Sequence, residues 1–363
     1  MSTINAALLE IGMVVSADVF SPSGQLIVPK SSVLTKQMIS QIKFYSIVEV
    51  NILDGDLPEK AKNAILEKKK AEQTHMEKLY QTESYQDFKI EYTRSINVVR
   101  DCLNDIIIKN SPVDESLMMT EILNLFNKNH TAYNLLTILH SMHQINDSTF
   151  AHSLNVSMIA RLLGVWIGLE ADDLNILTMA GLLHDVGKCR IPKEILEKPG
   201  RLTPSEFGIM KAHTTFGYEA LQTQKLDQRI KNAALMHHER FDGSGYPSGL
   251  KGDEIDDFAS IIAIADVYDA MTQDRCYRSG MCPFDVIATF EEEGLSKYNT
   301  KYILIFLKRI ASSYLNCEVL LSNNKIARII YLNSTLTKPI LQLEDGSIYN
   351  LEEHLDVYIQ AII

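Results

Sequence analysis

Hydrophobic and polar positions follow three different patterns along the chain. Short β-prone runs fill residues 13–53, where a turn and one helical stretch interrupt them. Between residues 135 and 313 the apolar positions recur at helical steps of three and four, interrupted by a glycine-rich stretch at 242–252. After residue 316, β-prone runs return between turns rich in Asn and Ser. The pattern predicts a mostly α protein with a small N-terminal α+β unit and a small β-rich C-terminal extension.

The changes of pattern divide the chain into four predicted segments. A charge-dense run with high helix propensity follows the first β-prone region, and we interpret it as a solvated connecting helix. The predicted segments are an α+β domain at 1–55, a helical connector at 56–129, a helical domain at 130–313 and a β-rich extension at 314–363.

One amphipathic helix is predicted within the connector. Its apolar positions recur at steps of three and four and form a single apolar face. This face could pack on its own chain or pair with a second copy, and we predict the intramolecular packing. A homodimer is the alternative that this helix and the chain length suggest. The face consists of Phe88, Tyr92, Ile96, Val99, Leu103 and Ile106.

Composition restricts the class of protein. The chain has 363 residues, 46% of them hydrophobic, with 35 Lys and Arg against 46 Asp and Glu, for a net charge of -11. This acidic balance disfavours long nucleic acids and anionic membranes as partners. The N-terminus lacks the pattern of a secretory signal, and five cysteines without CxxC spacing are typical of reduced thiols. We therefore predict a cytoplasmic protein without membrane segments.

Histidines and aspartates on inward helix faces are the candidate chemical groups. Burying such groups without partners costs several kcal/mol, so a set of them requires a common explanation. Each histidine could instead be satisfied separately by a backbone carbonyl, but the two adjacent doublets favour a metal cluster. Imidazole and carboxylate ligands suit iron or manganese. The candidate ligands are His152, His184, Asp185, His213, His237, His238 and Asp266, with Asp185 as the expected bridge.

A glycine-rich loop follows the second doublet. Its glycines permit positive φ angles and close approach of the backbone to a ligand or partner. Tyr246 offers an aromatic face with a hydroxyl, and Pro247 restrains the backbone. Beside the histidine pair, we expect this loop, which includes Gly245, to lie at the edge of the site.

Five sequence motifs together resemble those of a known family. They are HSLNVS from His152, HDVGK from His184, a run ending in MKAH at His213, HHERFDGSGYP from His237 and ADVYDAMTQDRCYR from Ala265. In this order they closely resemble the HD-GYP group of the HD phosphohydrolase superfamily, over residues 130–313. The resemblance implies a helical domain that hydrolyses cyclic dinucleotides, chiefly cyclic di-GMP, to linear pGpG and in some members on to GMP.

The resemblance also implies roles for single residues. The seven candidate ligands would hold two or three metal ions, and Lys188 would act on the phosphate beside Asp185. Arg275 and Arg278 match basic positions that hold substrate phosphate. Some members carry a further carboxylate ligand one turn before the first histidine, where this chain has Ser148. We therefore expect two metal ions rather than three.

Three functions remain open at this point. The first is hydrolysis of cyclic di-GMP, and the second is a preference for 3',3'-cyclic GMP-AMP, because the sequence does not expose the residues that read the base. The third is a non-catalytic sensor or scaffold that binds a GGDEF-domain partner through the glycine-rich loop.

The acidic net charge does not exclude an anionic substrate. Two divalent ions would add four positive charges against the two negative charges of Asp185 and Asp266. We therefore expect the site to be locally positive, and the metal-free protein to bind a cyclic dinucleotide much more weakly than the metal-loaded form.

Overall fold

The computed structural model describes residues 2–6, 9, 12–20, 26–35, 38–39, 42, 47, 49–53, 82–128, 131–142, 149–198, 200, 202–272 and 281–363. Its helices are α1 (Glu83–Lys109), α2 (Glu115–Asn127), α3 (Ala132–Met142), α4 (Thr149–Ile167), α5 (Ala171–Leu183), α6 (Lys193–Leu196), α7 (Pro204–Lys211), α8 (His213–Gln222), α9 (Gln228–Met236), α10 (Asp257–Thr272), α11 (Pro283–Thr289) and α12 (Thr300–Ser313). Shorter turns are 3₁₀-helical at Val186–Arg190, Gly252–Glu254 and Leu351–Glu353 and π-helical at Phe290–Gly294. The strands are β1 (Ser2–Asn5), β2 (Val19–Phe20), β3 (Leu26–Val28), β4 (Glu49–Ile52), β5 (Glu318–Leu321), β6 (Ile326–Tyr331), β7 (Ile340–Leu343), β8 (Ile348–Asn350) and β9 (Ile359–Ile362).

The chain forms two compact units. The first takes its described residues from 1–78, 287–292 and 315–363, and the second from 79–286 and 293–314. Helices dominate the second unit, and all of the strands lie in the first. The predicted fold class is therefore confirmed: a mostly α protein with a small N-terminal α+β part and a β-rich C-terminal part.

The N-terminal and C-terminal strands of the first unit form separate sheets. β1 pairs antiparallel with β4, and β2 pairs antiparallel with β3. The C-terminal strands form one antiparallel sheet in the order β8-β7-β6-β5-β9. In that sheet Arg328 stands opposite Glu318, and their side chains form an ion pair at 3.1 Å. The turns that the sequence places near 322–324 and 345–347 connect successive strands of this sheet.

The second unit is built around α4. This helix packs against α5, α10 and α12, while α9 packs against α5 and α10. Nearly every residue of α4 from Ala151 to Gly164 is buried, whichever way its side chain points. A helix that is apolar on all sides is typical of a core position, since it has no face suited to water.

Helix α4 is also the one described helix with the length and hydropathy of a membrane span. Its 18-residue apolar window is 67% buried inside the chain. The same helix carries His152, which is buried among polar partners. These features are those of a central core helix.

Helix α1 belongs to the second unit and packs against other elements of it. It contacts α2, α4 and the 3₁₀ turn at Val186–Arg190. The predicted intramolecular packing is confirmed, because the face that could have paired with a second copy is buried within the chain. The charge-dense part of the predicted connector lies outside the described residues. The buried face of α1 comprises Tyr85, Phe88, Tyr92, Ile96, Val99, Leu103 and Ile106, each at most 3% exposed.

Candidate metal centre

Five helices of the second unit bring the candidate ligands together. His152 lies on α4, and Asp266 lies on α10. The other ligands lie at helix ends, where chain direction changes and side chains can point into one space. His184 follows α5 and Asp185 precedes the 3₁₀ turn, while His213 begins α8 and His237 and His238 follow α9.

The close approach of two backbone segments brings Asp185 to His213. Gly187 lies against the first turn of α8, and a Cβ atom at Gly187 would be 2.0 Å from the His213 carbonyl oxygen and 2.5 Å from the Gly217 nitrogen. No side chain fits at such distances, so glycine is required here. The glycine of the HDVGK motif therefore sets the position of the aspartate two residues before it.

Asp185 joins two groups of possible ligand atoms. One group consists of Asp185, His213, His237 and His238, the other of His152, His184 and Asp185, and within each group the atoms lie within 4.8 Å of one another. Asp185 Oδ1 is 3.3 Å from His213 Nε2 and 3.7 Å from His237 Nε2. Asp185 Oδ2 is 3.3 Å from His184 Nε2 and 3.7 Å from His152 Nε2. One carboxylate thus faces both groups, with one oxygen toward each.

Backbone carbonyls fix the tautomer of three histidines. Nδ1 of His184 donates to the Gly181 carbonyl at 2.6 Å, and Nδ1 of His237 donates to the Ala233 carbonyl at 2.9 Å. Nδ1 of His213 donates to the Met210 carbonyl at 2.7 Å. A carbonyl only accepts, so Nδ1 carries the proton and Nε2 of a neutral ring keeps its lone pair. All three lone pairs point into the space around Asp185.

Two buried atoms at the centre have no hydrogen bond within the described part of the chain. They are His184 Nε2 and Asp185 Oδ1, in side chains that are 0% and 1% exposed. Leaving such atoms unpaired costs about 1–3 kcal/mol each. A cation on each side of Asp185 would satisfy them, because imidazole nitrogen and carboxylate oxygen are ligands for divalent metals. The cluster therefore fits divalent metal binding.

His152 is held by carboxylates rather than by a carbonyl. Its Nδ1 is 2.7 Å from Asp269 Oδ2, and its Nε2 is 3.0 Å from Asp266 Oδ1. Burial alone would lower the pKa of His152, but the hydrogen bonds and charges of Asp266 and Asp269 outweigh it and raise the pKa to about 10. The two carboxylates therefore favour the protonated form of the His152 ring.

Burial also acts on the pKa values of other titratable groups at the centre. Burial lowers the pKa of His213 to about 4. It also lowers the pKa of His238 well below its ordinary value, with the neighbouring His237 adding to the effect. Burial would raise the pKa of Asp185, but Lys188 and His184 overcome it and hold that pKa well below its usual range. These shifts favour a charged Asp185 and neutral His213 and His238, as metal ligands must be.

Lys188 lies beside the shared aspartate. Its Nζ donates to Asp185 Oδ2 at 2.5 Å, and its side chain is 21% exposed. It is therefore a cation that contacts the shared aspartate and also reaches solvent.

The glycine-rich loop lies against the same centre. The Tyr246 ring stacks on the His238 ring with 4.7 Å between centroids. The buried Glu239 carboxylate accepts hydrogen bonds from the backbone N–H groups of Ser248 at 2.7 Å and Leu250 at 3.1 Å, which ties the loop to the end of α9. At Gly245 a Cβ atom would meet backbone atoms 2.4–2.5 Å away, so the loop approaches its own start too closely for any side chain.

Sequence reasoning and structure differ most in the partners of the ligands. Asp269 and Glu239 were not singled out by the sequence. Asp269 could have been found, because it lies three residues after Asp266 and so shares its helix face. Glu239 follows the histidine doublet, but its role depends on loop geometry that has no signature in the sequence. Arg275, Arg278 and Ser148 lie outside the described residues.

A helical fold with a buried group of histidines and aspartates at helix ends defines a class of metal-binding helical proteins. Within that class, residues 125–301 match the family model described as HD domain. This segment, just under half of the chain, is similar to the HD domain family.

Three curated relatives are similar over part of the chain. A cyclic di-GMP phosphodiesterase response regulator, RpfG, from Xanthomonas campestris is 45% identical over 34% of this chain and 33% of its own length. The 3'3'-cGAMP-specific phosphodiesterase 1 of Vibrio cholerae is 42% identical over 40% of this chain and 34% of its own. A cyclic di-GMP phosphodiesterase of Thermotoga maritima is 37% identical over 48% of this chain and 49% of its own. The similarity thus spans a third to a half of each relative.

One solved structure is similar over most of the chain. It is Bd1817, an HDG"Y"P protein from Bdellovibrio bacteriovorus, with a TM-score of 0.51 and 17% sequence identity. The alignment covers 85% of this chain and 98% of the other. At this level of identity the likeness concerns the fold.

Proposed function

We propose that the protein is a metal-dependent phosphodiesterase that hydrolyses cyclic di-GMP to linear pGpG in bacterial second-messenger signalling. The observation that carries the proposal is Asp185, whose two oxygens face two groups of histidines with buried lone pairs. Two of the relatives quoted above are named as cyclic di-GMP phosphodiesterases. They support the substrate class, although the similarity spans at most half of their length.

The proposed ligands divide between two metal ions. Asp185 would bridge, with His213, His237 and His238 on one side and His152, His184 and Asp266 on the other. Iron or manganese suits this mixture of nitrogen and oxygen ligands. When bound, such a pair supplies an activated water at neutral pH and neutralises the phosphate.

The remaining chemistry belongs to side chains around the centre. Lys188 reaches solvent from its place beside Asp185, so its ammonium is suited to donate to a phosphate oxygen as charge builds on it. Arg275 and Arg278 would hold substrate phosphate. Tyr246 would contact the substrate from its place beside His238, on whose ring its own ring stacks.

Product chromatography tests the proposal. Protein loaded anaerobically with iron or manganese should convert cyclic di-GMP to pGpG, and metal-stripped protein should bind and hydrolyse it much more weakly. Analysis of late time points shows whether GMP follows. Absence of turnover with either metal fully loaded would overturn the proposal.

A preference for 3',3'-cyclic GMP-AMP is the second candidate. It is favoured by the 42% identity to a Vibrio cholerae phosphodiesterase named for that substrate. Two further relatives from the same organism, 43% and 36% identical, bear the corresponding name. Paired measurements of kcat/KM on the two cyclic dinucleotides, at equal metal occupancy, decide between the candidates.

Partners and location are proposals of the same kind. A GGDEF-domain protein would contact the loop around Tyr246 and Pro247, where side chains approach the surface. A homodimer is left without its candidate interface, since the apolar face of α1 is buried within the chain. Light scattering measures the oligomeric state directly. The cytoplasmic location remains a prediction from the sequence.

A further inference from the structure

An exposed aromatic side chain lies next to the glycine-rich loop. Phe207, on α7, is 45% exposed, although it is large and apolar. The rest of the strongly exposed large apolar side chains in the described part of the chain are aliphatic, apart from Tyr331 in the other unit. A half-exposed phenyl ring beside a site is available to contact a ligand there.

A chain of rings connects Phe207 to the metal centre. The His238 ring stacks on Tyr246, and the edge of Tyr246 meets Phe207 with 6.4 Å between centroids and 79° between planes. Phe207 is the more exposed of these two rings and so is the outermost ring of the series. Its exposed surface is available to a planar group.

A cation lies over the same rings. Lys211 is one helical turn after Phe207, and its Nζ is 4.9 Å from the Phe207 centroid and 5.0 Å from the Tyr246 centroid. Within the described residues, Lys211 forms no ion pair with a carboxylate. A lysine held over aromatic faces is suited to attract an electron-rich group placed beside them.

The segment that carries Phe207 is held firmly. Thr203 and Glu206 form a reciprocal cap at the start of α7, and Lys198 Nζ donates to both oxygens of Glu206 at 2.8 and 2.6 Å. An aromatic ring fixed in advance loses little freedom when a base stacks on it. The arrangement therefore suits binding better than a freely moving surface residue would.

We propose that Phe207 is a platform on which a purine base of the substrate stacks, with Lys211 beside it, at the rim of the metal centre. The inference rests on the proposed function, because a cyclic dinucleotide places a purine near each of its phosphates. Neither residue belongs to the ligand set or to the glycine-rich loop. Phe207 thus acts as a substrate-binding residue that favours nucleotides over phosphodiesters without a base.

Binding of two small probes tests this platform without requiring turnover. Metal-loaded protein is titrated calorimetrically with GMP and with ribose 5-phosphate, which lacks the base. Stacking of one base on an aromatic side chain typically contributes about 1–3 kcal/mol. We expect Phe207→Ala and Phe207→Leu to weaken GMP binding about 10-fold relative to ribose 5-phosphate, which corresponds to ~1.4 kcal/mol. Phe207→Trp should preserve the preference for GMP.

Ile209→Ala is the matched control, because Ile209 lies on the same helix and is 42% exposed. It should leave the preference for GMP as in the wild type. The platform is overturned if the wild type binds GMP no better than ribose 5-phosphate, if Phe207→Leu keeps the full preference, or if Ile209→Ala loses as much. These outcomes are independent of whether cyclic di-GMP is hydrolysed, so a failure of the proposed function is recognised separately.

Discussion

The two sides of the metal centre hold their histidines in opposite ways. On one side, His152 lies between the carboxylates of Asp266 and Asp269, and its pKa is raised to about 10. On the other side, His213 donates to the Met210 carbonyl, and its pKa is lowered to about 4. Both rings are buried, and burial lowers the pKa of each. At His152 the hydrogen bonds and charges of Asp266 and Asp269 outweigh burial, whereas at His213 burial outweighs the charge of Asp185.

Loss of the residue common to both sides should have the largest effect. Asp185→Ala removes the carboxylate that faces both groups, so we expect metal to be lost from both. Metal-ion catalysis contributes several kcal/mol, which corresponds to a fall in turnover of roughly 10³-fold or more. Elemental analysis and product chromatography measure the two effects.

Asp172→Ala, at an exposed position in α5, is the control and should retain metal and activity. The variant also separates enzyme from scaffold. If a cellular effect of the protein survives in Asp185→Ala despite lost metal and turnover, the function is that of a non-catalytic scaffold.

Weakening only the group of ligands that contains His152 should reduce metal affinity less than the loss of Asp185 does. Asp269→Asn keeps an oxygen near His152 Nδ1 but removes its charge. Exchanging a partner of a metal ligand typically costs about 10–100-fold in metal affinity or activity. Metal titration of the stripped protein should show this loss for one of two ions, with the other unaffected. An equal loss of affinity for both ions would contradict the division of the centre into two sides. The control is Asp253→Asn, at an exposed position outside the centre, which should leave the affinity for both ions unchanged.

Helix α4, which carries His152, is also held by a hydrogen bond from α1. Tyr92 lies on α1, and its hydroxyl donates to Asn155 Oδ1 on α4 at 2.7 Å in a fully buried position. Tyr92→Phe should lower the free energy of unfolding of the second unit by about 1–2 kcal/mol, since a buried acceptor loses its donor. Urea denaturation measures the change, and Tyr331→Phe, at an exposed position, provides the control. An unchanged unfolding midpoint would show that this hydrogen bond adds nothing to stability.

The smallest expected effect is a pH dependence of the free energy of unfolding that comes from Glu206, in the first turn of α7. Hydrogen bonds from Lys198 and from Thr203 lower the pKa of Glu206 from 4.5 to about 2. The folded state therefore favours the charged carboxylate, so its stabilising contribution is complete above pH 4.5 and is lost as the pH falls toward 2. Glu206→Gln should flatten the stability profile in that window, followed by circular dichroism during acid titration. A variant with the same acid profile as the wild type would show that this cap is not maintained in solution.

The sequence predicts the ligand set better than it predicts what supports the ligands. The helical period places His152 and Asp266 on inward faces, and the doublets mark the helix ends where His184 and His237 lie. Helical arithmetic assigns a face to a residue but not the partner that the face meets. It therefore missed Asp269, which becomes meaningful only once α4 and α10 pack together.

The same limit explains why the sequence does not single out Phe207 at the rim of the site. Phe207 falls in a stretch whose periodicity fits an ordinary helix, and an isolated apolar residue on a short helix is unremarkable in sequence. Its proximity to Tyr246 depends on how the loop closes around Glu239. Contacts between segments distant in the chain are set by packing, and no local pattern encodes them.

Because α1 packs within the second unit, that unit begins well before the segment that matches the HD domain family. The family model begins at residue 125, whereas α1 begins at residue 83 and buries seven large side chains against the helices that follow. A fragment cut at the family boundary would contain every proposed ligand described above and yet expose the apolar surface that α1 covers. Such a fragment should aggregate on expression, whereas one that starts before residue 82 should stay in solution. Any shortened form of this protein should therefore keep the long amphipathic helix that precedes the matched segment.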